Sequence, residues 1–288
     1  MEGKLDLVLD SKSVLGEGAI WHLQNKVLYW VDIDPGLVHA YDPVSGANKT
    51  VSVGQPVGTV VPRAKGGVMV ALRDGIGALD LKTGKLEIIA NPEKDLAGNR
   101  FNDGKCDPAG RFWAGTLGKS GGSLYRMDAD LAVKKVFGGV RTSNGIAWSL
   151  DKKVMYFIDT PTGEVASFDY DNATGEVSNR RVAVKVPSEN GHPDGSTLDA
   201  DGNLWVAHWD GWNVTCYDVR TGKSLRSVRM PCARITSCAF GGPDLDILYI
   251  TSARTGISAS DLEKQPLAGG LFRIRPGVRG IPAPEFIG

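Results

Sequence analysis

The sequence has few of the features that mark disulfide-rich secreted proteins. Four cysteines in 288 residues are too few for a disulfide scaffold in a chain of this length, and none is spaced as C-x-x-C. They are Cys106, Cys216, Cys232 and Cys238. We therefore expect reduced thiols and a cytoplasmic location.

No charge of one sign dominates, and long apolar runs are missing. Lysine plus arginine number 33, as do aspartate plus glutamate, so no overall field favours nucleic acid or an anionic membrane. No apolar run approaches the ~20 residues of a membrane span. The start, MEGKLDLVLDSKS, lacks the apolar stretch of a signal peptide. We expect no nucleic-acid or membrane partner.

Helical periodicity is also scarce, whereas turn-forming residues are abundant. The chain has 37 glycines and 15 prolines, spread along its length. The one short helical pattern, near Leu262, is interrupted by Pro266. Many short strands joined by glycine-rich turns are typical of a sandwich, a barrel or a propeller.

A repeat decides among these all-β folds. Each unit holds a polar residue beside glycine, a short apolar strand, a turn, and a second apolar strand, followed by two further strands. An apolar residue recurs at one place in the second strand, at intervals of 40 to 49 residues: Tyr29, Met69, Trp113, Tyr156, Trp205 and Tyr249. This period predicts a six-bladed β-propeller of four-stranded blades.

The two ends of the chain favour closure of the propeller. Residues 4–10, KLDLVLD, alternate like a strand but precede the first unit, and the sixth unit is one strand short. We expect the N-terminal strand to complete the last blade, which would hide an exposed strand edge. No linker interrupts the series, so residues 1–288 are predicted to form a single domain.

The repeat also aligns a set of positions that we call the axial ring. In a propeller the innermost strands line the central channel, so equivalent positions on them encircle the axis. Counting four residues back from the aligned residue of each inner strand selects Glu17, Val57, Asn102, Asn144, Asp194 and Thr236. Four of these six side chains are carboxylates or amides.

Three members of the axial ring have the chemistry of a metal site. Glu17, Asn144 and Asp194 offer oxygen ligands without histidine or cysteine, which suits one divalent cation: calcium, magnesium, manganese, zinc or ferrous iron. Without a cation, the two carboxylates would repel each other and one pKa would rise. The alternative is that each polar residue beside a glycine merely forms a turn, but turn chemistry does not require Glu17 in this phase.

Six motifs occur in order and in phase with the repeat over nearly the whole chain. They are LGEGAIW at 15–21, RFNDGKCDPAGRFWAGT at 100–116, SLYRMD at 123–128, TSNGIAWS at 142–149, PDGSTLDADGNLWVA at 193–207 and CAFGGPDLDILYITSAR at 238–254. Through these motifs the chain resembles the senescence marker protein/regucalcin/gluconolactonase family of six-bladed propellers.

The resemblance implies a metal-dependent hydrolase that opens sugar lactones such as glucono-, xylono- or arabinonolactone to the aldonic acid. It implies a divalent metal held by Glu17, Asn144 and Asp194, and a sugar lactone bound through Arg100 and Asn102. Asp194 resembles the residue that takes a proton from the attacking water, although Glu17 is an alternative base. The expected partner is a small molecule, and the chain is expected to be a monomer.

One departure from the family leaves the sugar open. Relatives of regucalcin carry an acidic residue in the loop after the AGT segment, whereas residues 117–122 here are short and contain no carboxylate. Two other functions stay open: a propeller esterase acting on another ester or lactone, and a non-catalytic calcium-binding propeller. No Gly-x-Ser-x-Gly sequence provides a serine nucleophile. Trp209 is expected either to face a sugar or to pack within a blade.

Overall fold

The computed structural model describes residues 3–288, and strands make up most of this part of the chain. The first two blades are four-stranded and antiparallel, and in each one the strands run in chain order from the axis outward. The first contains β2 (Gly16–His22), β3 (Val27–Asp32), β4 (Leu37–Tyr41) and β5 (Asn48–Ser52). The second contains β6 (Val57–Pro62), β7 (Val68–Leu72), β8 (Gly75–Leu79) and β9 (Leu86–Ala90).

The third blade is wider than the others, with six strands instead of four. Its strands are β10 (Arg100–Cys106), β11 (Phe112–Met127), β12 (Val133–Trp148), β13 (Val154–Asp159), β14 (Glu164–Asp171) and β15 (Glu176–Lys185). The fourth blade again has four strands: β16 (His192–Leu198), β17 (Leu204–Trp209), β18 (Asn213–Asp218) and β19 (Lys223–Arg229).

The prediction of six four-stranded blades was therefore wrong: the structure is an all-β propeller of five blades. The third and fourth sequence repeats share one sheet because residues 133–140 of β12 pair with β11, while residues 143–148 pair with β13. Leu117 pairs with Thr142, so the hydrogen-bonded ladder continues from one repeat into the next. The repeat of apolar side chains in the sequence gives no information about this backbone pairing between β11 and β12.

The chain closes on itself as the sequence indicated. The fifth blade contains β20 (Ile235–Gly241), β21 (Ile247–Ser252), β22 (Leu271–Ile274) and, outermost, β1 (Asp6–Leu9). Strand β1 pairs antiparallel with β22, and so it covers the edge that β22 would otherwise expose. A single short helix among the described residues, α1 (Ala259–Lys264), precedes β22. Within residues 3–288, no helix combines the length and apolar character needed to cross a bilayer.

Burial falls steeply from the axis to the rim of each blade. The axial strands are almost wholly buried, as in β6 and β20, whereas the outermost strands β5 and β19 are largely exposed. The aligned apolar residues of the second strands are all buried and pack between blades: Tyr29, Met69, Trp113, Tyr156, Trp205 and Tyr249. The apolar repeat therefore marks the blade-to-blade core.

Two of the turns that follow axial strands are braced by the same side-chain contact. Asp107 accepts hydrogen bonds from two backbone N–H groups of its turn and from Trp113 Nε1 at 2.8 Å. Asp199 does the same, and Trp205 Nε1 donates to it at 3.0 Å. The Asp-x-x-Gly-x-x-Trp spacing thus ties each turn to the tryptophan of the next strand.

Candidate active site

All five residues that the sequence analysis selected line one cavity of about 360 Å³, which we call the ring cavity. Glu17, Asn102, Asn144 and Asp194 come from four different axial strands, and Arg100 precedes Asn102 on β10. The remaining two members of the axial ring, Val57 and Thr236, are buried but do not line this cavity. The structure thus brings the predicted residues together, while their roles stay predictions.

An irregularity at the same height in every axial strand directs these side chains. The pairing register shifts between Glu17 and Ile20 of β2, and it also shifts at the ring positions of β6, β10, β12, β16 and β20. These six are the axial strands, and two of them, β10 and β12, belong to the six-stranded third blade. A β-bulge bends the strand and re-aims a side chain that would otherwise follow the regular alternation. The direction of the ring side chains therefore depends on these register shifts, and the regular alternation of side chains along a strand does not predict it.

Glycines beside the ring residues allow neighbouring axial strands to approach closely. A Cβ atom on Gly145 would lie 2.8 Å from the carbonyl oxygen of Asp194, and one on Gly195 would lie 2.8 Å from that of Thr236. At Gly58 a Cβ atom would collide with the backbone of Asn102. The glycines next to Asn144 and Asp194 are thus required for packing around the axis, and are more than turn formers.

A chain of hydrogen bonds fixes the amide groups of the ring cavity. Arg100 Nη1 donates to Asn102 Oδ1 at 2.7 Å, and Asn102 Nδ2 donates to Asn144 Oδ1 at 2.9 Å. Asn144 Nδ2 in turn donates to Thr160 Oγ1 at 2.7 Å, and Thr160 Oγ1 donates to the carbonyl oxygen of Pro193 at 2.8 Å. The Oδ1 atom of Asn144 is therefore held on the side away from Thr160.

The hydrogen bonds also limit what Asn102 can offer a ligand. Its Nδ2 atom donates both to Asn144 Oδ1 and to the carbonyl oxygen of Ser143, which uses both N–H groups. A substrate hydroxyl would therefore meet Asn102 through Oδ1. Arg100 uses Nη1 for its contacts with Phe101 and Asn102, which leaves its other nitrogens without a partner among the described residues.

The carboxyl groups of the ring cavity are strongly perturbed. Burial, followed by the charge of Asp103, raises the pKa of Glu17 to about 8. Burial and the charge of Glu17 raise the pKa of Asp194 well above its usual value. Buried carboxyl groups packed together cannot all ionise without a compensating charge.

The cavity residues fit a divalent cation. Asp194 Oδ1 is buried and has no hydrogen-bond partner among the described residues, while Glu17 Oε2 accepts only the N–H of Gly18 at 3.1 Å. Residues 3–288 hold no cluster of three or more His, Cys, Asp or Glu side chains arranged for a metal, so the third ligand would be the amide of Asn144. Two carboxylates and an amide oxygen form a donor set for hard cations.

The walls of the ring cavity combine apolar and polar residues. Leu15, Leu117, Pro161 and Trp209 line it, and the guanidinium of Arg234 lies 4.6 Å from the centroid of the Trp209 ring. Trp209 therefore forms part of the cavity wall, whereas its contact with a sugar stays a prediction. Residues 117–122, expected as a loop, lie within strand β11; among them only Leu117 lines the described cavity, so the segment contributes no carboxylate to it.

Sequence reasoning missed two residues that act on the site. Asp103 is buried, lies next to Asn102, and raises the pKa of both Glu17 and Asp194. Its position in the Asn-Asp-Gly sequence was a usable signal. Thr160 lies in the 3-10 turn Thr160–Thr162 after β13, outside the repeated phase, and no pattern in the sequence indicates it.

The chain is similar to a known protein family over most of its length. Residues 15–254 match the family model described as the SMP-30/Gluconolactonase/LRE-like region. Regucalcin of Oryctolagus cuniculus is 40% identical over 295 residues, with 99% of each chain covered. The Bacillus subtilis (strain 168) protein named "Putative sugar lactone lactonase YvrE" is 38% identical over 290 residues, again with 99% of each chain covered.

A solved structure is similar over nearly its whole length. It is described as regucalcin, a calcium-binding protein, from Agrobacterium tumefaciens strain C58. The TM-score is 0.94 at 29% sequence identity, and the match covers 99% of this chain and 97% of the other.

Proposed function

Because this chain belongs to the SMP-30/gluconolactonase/LRE-like family, we propose that it is a sugar lactone hydrolase dependent on a divalent cation. The reaction adds water to the lactone carbonyl and breaks the ring ester bond, which gives the open aldonic acid. Glucono-, xylono- and arabinonolactone are the substrates to examine first. The calcium binding stated for the Agrobacterium relative makes calcium the first cation to test.

One observation carries this proposal: two buried carboxyl groups and an amide oxygen from three axial strands converge on one cavity. Such a cluster is unfavourable on its own, because burial and mutual repulsion raise both carboxyl pKa values. Glu17, Asn144 and Asp194 would hold the cation. When bound, the cation would supply Lewis acidity toward the lactone carbonyl oxygen.

The protein's own side chains provide the remaining steps. Asp194 is the proposed general base, because a bound cation would favour the ionised form of its carboxyl group, which could then accept a proton from the attacking water. Arg100 and Asn102 would bind the sugar hydroxyls through the guanidinium nitrogens that do not contact Asn102 and through the second lone pair of Asn102 Oδ1, whose first lone pair accepts from Arg100 Nη1. Trp209 would cover the apolar face of the sugar ring.

The test is hydrolysis of a panel of pentonic and hexonic lactones, measured above the spontaneous rate. We expect Asp194→Asn to lower kcat by a factor of about 10² or more, since general-base catalysis contributes that much. Asn144→Ala should reduce activity by weakening cation binding. Thr236→Ser is the matched control, because Thr236 is in the axial ring but does not line the cavity.

Removal of the cation gives a second, independent readout. Treatment with a chelator should abolish hydrolysis, and added calcium or manganese should restore it, while the far-ultraviolet circular dichroism spectrum stays that of a β-rich protein. Full activity after chelation would rule out the cation. Equal, negligible acceleration across the whole lactone panel would rule out a sugar lactonase.

A further inference from the structure

A second cavity, which we call the basal cavity, lies at the other end of the axial strands. Its volume is about 410 Å³, at the lower end of the range of small-molecule sites. It is lined near the C-terminal ends of the axial strands, for example by Trp21 and Trp148, whereas the ring cavity is lined near their N-terminal ends. The two cavities have no lining residue in common.

The basal cavity exists because small side chains occupy part of the channel wall. Ala147 and Ala239 line it, and their methyl groups leave space that a larger residue would fill. Trp148 and Phe240 follow them on the same strands and provide aromatic surface. A wall of this kind favours an apolar or aromatic ligand, because burial of apolar surface is favourable and non-directional.

The charged residues of the cavity are all of one sign. Lys105 and Lys152 line it, and no aspartate or glutamate does so. Lys105 donates a hydrogen bond to the carbonyl oxygen of Ser196, which leaves two of its three N–H groups. Within the described residues it forms no salt bridge, and burial lowers its pKa while the charge of Asp103 raises it. An ammonium group in an apolar channel is stabilised by an anion that can reach it.

A short C-terminal segment, residues 281–284, forms part of the wall of the basal cavity. The segment is fastened at both ends: the N–H of Gly280 donates to the carbonyl of Leu245 at 2.8 Å, and the N–H of Phe286 donates to that of Pro62 at 2.9 Å. Between these points residues 281–285 form no backbone hydrogen bond within the described structure. A ligand could therefore enter by displacing side chains, without breaking a sheet.

We propose that the basal cavity binds a compact amphipathic monocarboxylate, with its carboxylate on Lys105 and its apolar body against Trp148 and Phe240. A sugar is a poor fit, because the cavity offers few partners for several hydroxyl groups. A nucleotide is a poor fit as well, since only one partly buried cation is available for its phosphates. The ligand is thus chemically distinct from the lactone proposed for the ring cavity.

The experiment compares 4-phenylbutyrate with the neutral 4-phenylbutanol by calorimetric titration of the full chain. We expect the carboxylate to bind and the alcohol to bind at least about tenfold more weakly, because the alcohol lacks a charge-assisted hydrogen bond. Ala147→Leu should abolish binding by filling the cavity. Lys105→Met should remove the preference for the carboxylate.

The location is checked with a variant in the ring cavity. Asn102→Ala should bind 4-phenylbutyrate as the unmodified protein does, and a loss there would place the acid in the ring cavity and overturn the proposal. Absence of binding, equal binding of the alcohol, or unchanged binding by a folded Ala147→Leu variant would each overturn it. If Lys105→Met does not fold, the comparison of acid and alcohol on the unmodified protein still tests the charge. None of these outcomes depends on lactone hydrolysis.

Discussion

Thr160 shows how one hydroxyl group can support a site without facing the reaction. Its Oγ1 atom accepts from Asn144 Nδ2 and donates to the carbonyl oxygen of Pro193, the residue before Asp194. It therefore orients one proposed cation ligand and contacts the strand that carries another. Groups that orient ligands in this way typically change metal affinity by about 10- to 100-fold when they are removed.

We predict that Thr160→Val weakens cation binding by about 10- to 100-fold, while Thr160→Ser retains it. Valine keeps the branched shape but cannot accept the bond from Asn144, whereas serine keeps the hydroxyl. Calorimetric titration of calcium or manganese into chelator-treated protein measures the effect. An unchanged dissociation constant for a folded Thr160→Val variant would show that Thr160 does not orient the ligand.

Two buried histidines make stability depend on pH. Burial lowers the pKa of His39 to about 4 and that of His208 to about 4. His39 stacks on Trp30, with the ring centroids 3.9 Å apart, and His208 is fully buried. Both pKa values are lower in the folded chain than the ordinary value of 6.5, so the unfolded chain binds more protons between these limits.

Each histidine should therefore destabilise the fold as the pH falls from about 6.5 toward 4, by an amount on the order of 3 kcal/mol. Raised carboxyl pKa values act in the opposite direction, so the effect is read as a difference between proteins. The free energy of unfolding of His39→Gln or His208→Gln should change less with pH than that of the unmodified chain. His192→Gln, at an exposed residue, serves as the control. Parallel pH curves for all four proteins would contradict the prediction.

At the scale of elements, the Asp-x-x-Gly-x-x-Trp turns should carry measurable stability. Asp107 and Asp199 are buried and accept hydrogen bonds from backbone and from tryptophan Nε1. We predict that Asp199→Asn lowers the free energy of unfolding by about 2 to 3 kcal/mol, since hydrogen bonds to a charged acceptor are worth about this much. Asp80→Asn is the control, because Asp80 accepts only turn N–H groups at an exposed site. Urea unfolding midpoints compare the two, and equal midpoints would refute the bracing role.

The elements themselves were largely predictable from the repeat. The apolar residues of the second strands lie where the pattern placed them, and β1 pairs with the last blade. The blade count was not predictable, because fusion of two repeats depends on the backbone pairing of Leu117 with Thr142. That pairing arises because β11 runs through residues 117–122, where glycine and polar residues give no periodic apolar signal in the sequence.

In the candidate site, too, the repeat predicts some residues, whereas others are found only in the folded chain. Glu17, Asn144 and Asp194 could be selected because they share a phase that the bulges of the axial strands maintain. Thr160 could not be selected, because it reaches the site from the turn between β13 and β14, which has no counterpart at the repeated polar position. Periodic positions are visible in a sequence, whereas contacts made by a single loop appear only once the chain is folded.

At the scale of the whole molecule, β1 joins the two ends of the chain. It is the outermost strand of the fifth blade and pairs only with β22. We predict that deletion of residues 1–10 lowers the thermal unfolding midpoint and causes association, because β22 then exposes unpaired N–H and C=O groups. Size-exclusion chromatography and thermal melting test this. A truncated chain that matches the full chain in elution volume and melting temperature would contradict it.

Because all axial strands share the same register shift, the six positions of the axial ring have equivalent backbone surroundings. Val57 and Thr236 stand at the same height as Glu17, Asn144 and Asp194, on backbone of the same shape. A single substitution at Val57 or Thr236 would direct a new functional group toward the channel, while the strand pairing of the blades stays the same. A propeller of this kind can therefore change the functional groups around its axis by substitution at a ring position, without a change in its loops.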